Sequence, residues 1–248
     1  MSVQFDGFFW LASLAALLVG LSKGGLPTIG MLGVPVLSLV MSPVKAAVLL
    51  LPIYVISDMV SVWLYRRDFS LPNLKILVPA SIVGVLVGWL TASVTSDSAV
   101  KLLIGVIGIV FCLNIWLRRT PQATQGVDVK KGVFWGVITG FTSFICHAGA
   151  PPFQMYVLPQ HLPKVVFAGT ATFLFTIVNL VKIWPYQQLN PYSEADLLQA
   201  AGLVPSALIG TVLGAYLTRR LADKWFYSIV QWGLFAISVK LVVDALWP

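Results

Sequence analysis

The stretch SKGGLPT, residues 22–28, interrupts an apolar segment with two glycines and a proline, and a similar stretch, CHAGAPP, occupies residues 146–152. Glycine permits a break in a helix, and the proline that follows suits the first turn of a new helix. Unwound backbone inside a membrane must line a protein-covered or watery cavity, because its N–H and C=O groups need partners. The two stretches therefore predict helices that are interrupted within the membrane.

The composition around these breaks is that of an integral membrane protein. Of the 248 residues, 58% are hydrophobic and 10% are charged, whereas a soluble domain averages about 25% charged residues. This excludes a soluble enzyme or nucleic-acid-binding protein and predicts the lipid bilayer as a partner. The two cysteines, Cys112 and Cys146, provide neither a disulfide framework nor a metal-binding spacing. No cofactor is expected.

Seven apolar stretches are long enough to cross a bilayer, which needs about 20 apolar residues per helix. They are residues 8–22, 46–65, 74–92, 99–117, 165–184, 197–218 and 226–246. Three further stretches, residues 28–41, 133–145 and 152–160, are too short to be ordinary spans. No Lys or Arg precedes the first stretch, so we expect no cleaved signal peptide there.

The two halves of the chain repeat each other. VPASIVG at residues 78–84, with Gly88, recurs as VPSALIG at residues 204–210, with Gly214. Gly25 and Pro27 recur as Gly149 and Pro151, 124 residues further on. The long polar stretch between the halves suits an exposed connection. We predict a first transmembrane repeat at residues 1–118, a cytoplasmic linker at 119–131 and a second repeat at 132–248, which together form one transport domain.

Charge predicts how the repeats are oriented. With five crossings per repeat, one face collects 11 of the 16 lysines and arginines and the other face two, as the positive-inside rule requires. An odd number of crossings inverts the second repeat. The predicted fold is therefore an all-α integral membrane protein of two inverted five-helix repeats, with broken or re-entrant short helices at the midplane. Both termini should lie on the periplasmic side. The charge count does not separate ten spans from six spans plus two re-entrant hairpins.

The breaks are the predicted binding site. Lys23 and His147, also 124 residues apart, both precede a Gly/Pro break, and a helix that restarts after such a break attracts anions to its N-terminus. Ionisable side chains are costly in a membrane, although a snorkelling Lys23 and a packed His147 are the alternatives. The predicted substrate-binding residues are Ser22, Lys23, Gly24, Gly25, Pro27 and Thr28 at the first break and Cys146, His147, Gly149 and Pro151 at the second.

A second matched pair is Asp58 and Asn179, in the third span of each half. Asp58 could take up a coupling proton, balance a cation such as Lys23, or make a structural hydrogen bond. His147 could carry the same proton, because an ordinary histidine titrates at about pH 6 to 7. The predicted coupling residues are therefore His147, Asp58 and Asn179.

The opening GLSKGGLPTIGMLGVPVLSLVMSP, the later CHAGAPPFQMYVLP and the paired VP-x4-G-x3-G spans resemble the sulfite exporter TauE/SafE family, also called toluene sulfonate uptake permeases. The resemblance covers nearly the whole chain. It implies secondary transport of sulfur-containing oxyanions, such as sulfite or organosulfonates, across the bacterial inner membrane. The partner expected on this basis is a small anionic substrate.

Three other function classes are weighed against a transporter. Inverted repeats and broken helices also occur in anion channels, which single-channel steps would reveal. A metal-ion carrier needs converging carboxylate, His or Met ligands within the spans, which Asp58 alone does not supply. An enzyme needs a nucleophile with its base or a metal-ligand cluster, and the chain has two histidines and neither an HExxH nor a GxSxG motif. We expect no enzyme activity.

Overall fold

The computed structural model describes residues 7–27, 29–37, 40–41, 43–92, 97–117, 124–189 and 191–247. Within these residues the chain forms ten α-helices and no β-strand. The helices are α1 (Gly7–Lys23), α2 (Gly33–Leu37), α3 (Pro43–Tyr65), α4 (Leu71–Thr91), α5 (Asp97–Leu117), α6 (Val129–Cys146), α7 (Ala150–Val157), α8 (Lys164–Leu189), α9 (Glu194–Arg220) and α10 (Asp223–Leu246). Short 3₁₀ helices precede α2 (Ile29–Leu32) and follow α7 (Leu158–Gln160).

Four helices among the described residues, α4, α8, α9 and α10, are long and apolar enough to cross a membrane. Apolar stretches of 10–17 residues in α1, α3 and α5 add to them. All seven stretches that were predicted to span lie in helices, and the predicted all-α fold is confirmed. The inversion of the two repeats stays a prediction.

The helices group into two compact units. The first unit comprises Met1–Phe69 and Ala168–Leu221, and the second comprises Ser70–Phe167 and Ala222–Pro248. Each unit therefore combines helices from both halves of the sequence. The first unit holds α1, α2, α3, most of α8 and α9, whereas the second holds α4, α5, α6, α7 and α10.

In the first unit α1 and α9 pack backbone against backbone. A Cβ atom added to Gly24 would lie 2.5 Å from the Cα of Gly214, and Gly20 faces the backbone carbonyl of Ala207. Small residues allow this close approach and are typical of helix pairs in membranes. Gly214 therefore serves the packing of α9 on α1.

In the second unit α4 and α6 pack in the same way. Gly84 faces the backbone of Val137, and Gly140 faces the carbonyl of Ser81. The contact of Gly140 with Ser81 matches that of Gly20 with Ala207 in the first unit. The two helix pairs thus repeat one packing arrangement, with α6 equivalent to α1 and α4 equivalent to α9.

The polar connection between the halves is shorter than predicted, because α6 begins at Val129. The Asp128 side chain accepts a hydrogen bond of 3.0 Å from the Lys131 N–H and caps the helix. Residues 129–131, assigned to the linker from their charge, are therefore the exposed first turn of α6. The prediction of a short segment at residues 133–145 is wrong for the same reason, since α6 has 18 residues.

Candidate functional site

The first predicted break is present. The helix α1 ends at Lys23, and Gly25 takes a φ of 120°, in the left-handed region that favours glycine. A side chain on Gly25 would also lie 2.5 Å from Thr218 Oγ1 and 2.8 Å from the Tyr65 hydroxyl. The stretch from Lys23 to Pro27 is buried throughout. Glycine is thus required here both by conformation and by space.

Side chains from distant helices satisfy the backbone carbonyls at this break. The Gly24 oxygen accepts a hydrogen bond of 2.5 Å from the Tyr65 hydroxyl and one of 3.1 Å from Thr218 Oγ1. The Lys23 oxygen accepts one of 3.4 Å from Thr172 Oγ1. A broken helix is tolerated in an apolar setting when neighbouring helices satisfy its free carbonyls in this way. The packing of the first unit therefore stabilises the break.

The side chain of Lys23 forms a buried ion pair with Asp58. Its Nζ lies 2.7 Å from Oδ1 of Asp58, and Asn179 Nδ2 donates a hydrogen bond of 2.8 Å to Oδ2 of the same carboxylate. The three residues are 6%, 0% and 4% exposed. Asp58 therefore balances the charge of Lys23, one of the roles proposed for it, and the snorkelling alternative for Lys23 is wrong.

Two aromatic rings flank the ammonium group. Lys23 Nζ lies 5.0 Å from the ring centroid of Tyr54 and 5.9 Å from that of Phe175. Both distances are within the range of cation–π attraction. The Tyr54 hydroxyl donates a hydrogen bond of 2.9 Å to the Gly30 oxygen, which ties the ring to the chain just after the break. We call Lys23, Asp58, Asn179, Tyr54 and Phe175 the Lys23 cluster.

The Lys23 cluster contains one potential anion-binding group, the Lys23 ammonium. It presents one ammonium group that is held by two rings and neutralised by one carboxylate. Burying such a pair is costly unless the charges remain matched. Anything that neutralises Asp58 therefore leaves a buried cation that needs a new anionic partner.

The second predicted break lies in the second unit. The helix α6 ends at Cys146, and His147 takes a left-handed φ of 53°, which is uncommon for a residue other than glycine. Thr142 holds the break on both sides: its carbonyl accepts a hydrogen bond of 3.1 Å from the Ala148 N–H, and its Oγ1 donates one of 3.0 Å to the Ala148 oxygen. Gly149 then precedes α7.

The short helix α7 carries Pro151 and Pro152 in its first turn, and all eight of its residues are buried. A buried eight-residue helix that restarts after a break agrees with the short segment predicted at residues 152–160. Its 3₁₀ extension ends in a reciprocal amide pair, in which Asn73 and Gln160 donate to each other at 2.8 and 3.1 Å. This pair fixes the end of the segment to α4.

The predicted site residues thus fall into two sets. Lys23, Gly24, Gly25 and Pro27 lie together in the first unit with Asp58 and Asn179, and Ser22 is half-buried beside them, its Oγ donating to the Val19 oxygen at 2.9 Å. His147, Gly149 and Pro151 belong to the second unit. Thr28 and the side chain of Cys146 lie outside the described residues.

The helix packing changes the predicted match between Lys23 and His147. Gly20 and Gly140 make equivalent contacts, 120 residues apart, so Lys23 corresponds to Ser143 within α1 and α6. The offset of 124 applies only after the breaks, because α6 continues for one more helical turn. His147 therefore follows a longer helix and is no positional equivalent of Lys23.

Sequence reasoning missed Tyr54 and Phe175. The two positions are 121 residues apart, the same offset as Asp58 and Asn179, and each lies four residues before its polar partner. Residues four apart share one face of a helix. Extending the Asp58 and Asn179 match by one turn would have found both rings. Tyr65 recurs as Tyr186 at the same offset, which predicts an interfacial anchor, whereas in the structure Tyr65 is fully buried. Thr172 and Thr218 carry no such pattern.

A family model described as sulfite exporter TauE/SafE matches residues 12–241. Comparison with curated proteins and with solved structures gives no match. The family model covers nearly the whole chain and includes both breaks and the Lys23 cluster, so the resemblance drawn from the sequence motifs is confirmed. This chain belongs to the sulfite exporter TauE/SafE family of membrane transporters for small sulfur-containing anions.

Proposed function

We propose that this protein is a secondary transporter that moves small sulfur-containing oxyanions, of the sulfite or organosulfonate class, across the bacterial inner membrane. Transport would proceed by alternating access and would be coupled to an ion. The observation that carries the proposal is the buried Lys23 ammonium at the break after α1. In the part of the chain that the structure describes, its ion-pair partner is Asp58.

The chemistry of the Lys23 cluster favours an oxyanion. An ammonium group donates charge-assisted hydrogen bonds, which are strongest to anionic oxygens. The carbonyls of Lys23 and Gly24 already accept hydrogen bonds from Thr172, Thr218 and Tyr65. They are therefore poorly placed to coordinate a metal cation, which supports an anion transporter over a metal-ion carrier.

The contact between Asp58 and Asn179 supports the inverted repeats. The two residues are 121 positions apart, as are Tyr54 and Phe175. Both rings and Asp58 lie next to Lys23, and Asn179 binds Asp58. Equivalent residues of two repeats contact each other where the axis that relates the repeats passes between them. Transporters with inverted repeats bind substrate near such an axis, at the bilayer midplane.

Uptake of radiolabelled sulfite into vesicles that contain the purified protein tests the proposal. We expect saturable uptake and counterflow by the parent protein and loss of both in Lys23→Met. Lys240→Met is the matched control, because Lys240 pairs with Asp244 in a half-exposed position on α10. Transport by Lys240→Met should stay near the parent rate.

Two results would contradict the proposal. Sulfite-dependent single-channel steps across a planar bilayer would assign the chain to the channels instead. Unchanged sulfite uptake in a folded Lys23→Met protein would remove Lys23 from the binding site.

A further inference from the structure

We infer that the Asp58 carboxylate competes with the substrate anion for the Lys23 ammonium group. Binding of one proton to Asp58 releases the ammonium, which then binds the anion. The inference rests on the proposed function and names the coupling ion as H⁺, with one proton bound for each anion.

The two oxygens of the Asp58 carboxylate have different partners. Oδ2 accepts the hydrogen bond from Asn179, and Oδ1 lies 2.7 Å from Lys23 Nζ. Each oxygen thus faces an N–H donor, so a proton binds Oδ1 only once the N–H groups of Lys23 turn from that oxygen toward an anion. The product is a neutral acid whose O–H points into the space shared with the ammonium.

Protonation of Oδ1 turns an attraction into a conflict. The neutral acid presents an O–H donor at Oδ1 and no longer balances the charge of Lys23, whose N–H groups are donors as well. Lys23 is 6% exposed and Asp58 is fully buried, so bulk water does not replace the lost partner. An oxyanion between the two groups accepts from both and restores the balance of charge, because a buried cation needs a counterion.

The two rings keep the ammonium in place during this exchange. Tyr54 and Phe175 lie within cation–π distance of Nζ and carry no charge, so they attract Lys23 equally before and after the proton binds. They are positioning residues for the cation. Without them the freed lysine would move away from the place that the carboxylate has left.

The titratable and charged groups around Asp58 lie on four helices, α1, α3, α8 and α9. On its own helix Tyr54 is the titratable neighbour one turn away, and α1 contributes Lys23. From α8 Asn179 faces the carboxylate, and the buried Lys182 follows three residues later. The charged residues of α9 lie only near its two ends, at Glu194, Asp196, Arg219 and Arg220.

Asp58→Asn tests the inference, because asparagine keeps an acceptor for Asn179 and places an N–H donor where the protonated acid has its O–H. We compare the Kd for sulfite of the parent and of this variant at several pH values. Taking the ratio cancels the titration of sulfite itself. We expect the two Kd values to converge at acidic pH and the parent to weaken, relative to Asp58→Asn, by up to about tenfold for each pH unit as the pH rises, as binding of one proton with each anion requires.

Proton counting supplies a second readout. In a weakly buffered solution, at a pH where the two Kd values differ, the parent should take up one more proton than Asp58→Asn for each sulfite bound. Asn179→Leu is the test variant if Asp58→Asn does not fold. It removes the hydrogen-bond donor to Oδ2, so the pH profile of sulfite binding should shift in this variant relative to the parent, and an unchanged profile overturns the inference.

The outcomes separate this inference from the proposed function. A ratio of Kd values that stays constant with pH, or weaker sulfite binding by Asp58→Asn at every pH, overturns the inference and leaves the transporter in place. If His147→Gln loses the pH dependence and Asp58→Asn keeps it, the proton-binding site is His147. That result also overturns the inference. Absence of sulfite binding by the parent at all pH values removes the proposed function itself.

Discussion

Asn179 donates a hydrogen bond of 2.8 Å to Asp58, and these two residues occupy corresponding positions in the two halves of the sequence. The carboxylate is thereby held on one side by an uncharged amide and on the other by Lys23. One half of the chain carries an acid at this position and the other an amide. Two acids at these positions would place two carboxylates in contact, which repel each other.

Gly24 gives the first prediction, which concerns its carbonyl. Tyr65→Phe and Thr218→Val each remove one of its two donors, and each should cost about 1 kcal/mol of stability. The double variant should lose more than the sum, because the buried carbonyl then has neither side-chain donor. Thermal unfolding of the four proteins in detergent measures the effect. Strict additivity would mean that the two hydroxyls do not share this acceptor.

Backbone conformation at Gly25 gives the second prediction. Gly25→Ala should destabilise the protein by about 1 to 3 kcal/mol, because the new Cβ meets a φ of 120° and the Thr218 and Tyr65 hydroxyls. Gly7→Ala is the control, since a Cβ there has no atom within 4 Å. Its thermal midpoint should stay near that of the parent. Equal midpoints for the two variants would contradict the strain at the break.

The two left-handed histidines give a third prediction. His147→Asn and His161→Asn should both fold, because asparagine tolerates this backbone conformation. If His147 binds substrate, its variant should bind sulfite about tenfold more weakly, because the shorter asparagine side chain does not place its N–H groups where the imidazole N–H lies. His161, at the exposed end of the 3₁₀ turn after α7, should show no change. Parent-like sulfite affinity in His147→Asn would assign His147 to packing.

Membrane topology gives the fourth prediction, which follows from the 11-to-2 distribution of cations. Gly7→Cys should react with a membrane-impermeant maleimide in intact cells, and Gly126→Cys only after the membrane is opened. Both sites are exposed and have open space around the added atom. Cys112 and Cys146 are replaced by alanine in both proteins. Preferential labelling of Gly126→Cys in intact cells would reject periplasmic termini.

Much of the candidate site was predictable because its residues violate the surrounding pattern. Glycine and proline in an apolar run marked both breaks, and charge in an apolar run marked Lys23 and Asp58. No pattern around Tyr65 or Thr218 points to Gly24, which they reach across 41 and 194 residues of sequence. Only the packing of α3 and α9 on α1 brings them there. The first turn of α6 was missed because it contains Lys130, Lys131 and Gly132.

The exchange of helices between the two halves has a consequence for biosynthesis. The partner of α1 is α9, which begins at Glu194, so α1 leaves the ribosome long before the helix that covers its glycine face has been made. Until then the buried pair of Lys23 and Asp58 lacks Asn179, which belongs to α8. During this time the nascent first half lies in the bilayer with the polar groups of Lys23 and Asp58 only partly hydrogen-bonded. Chaperones and membrane proteases can recognise such a form. Translation of the second half completes the site and ends this exposure.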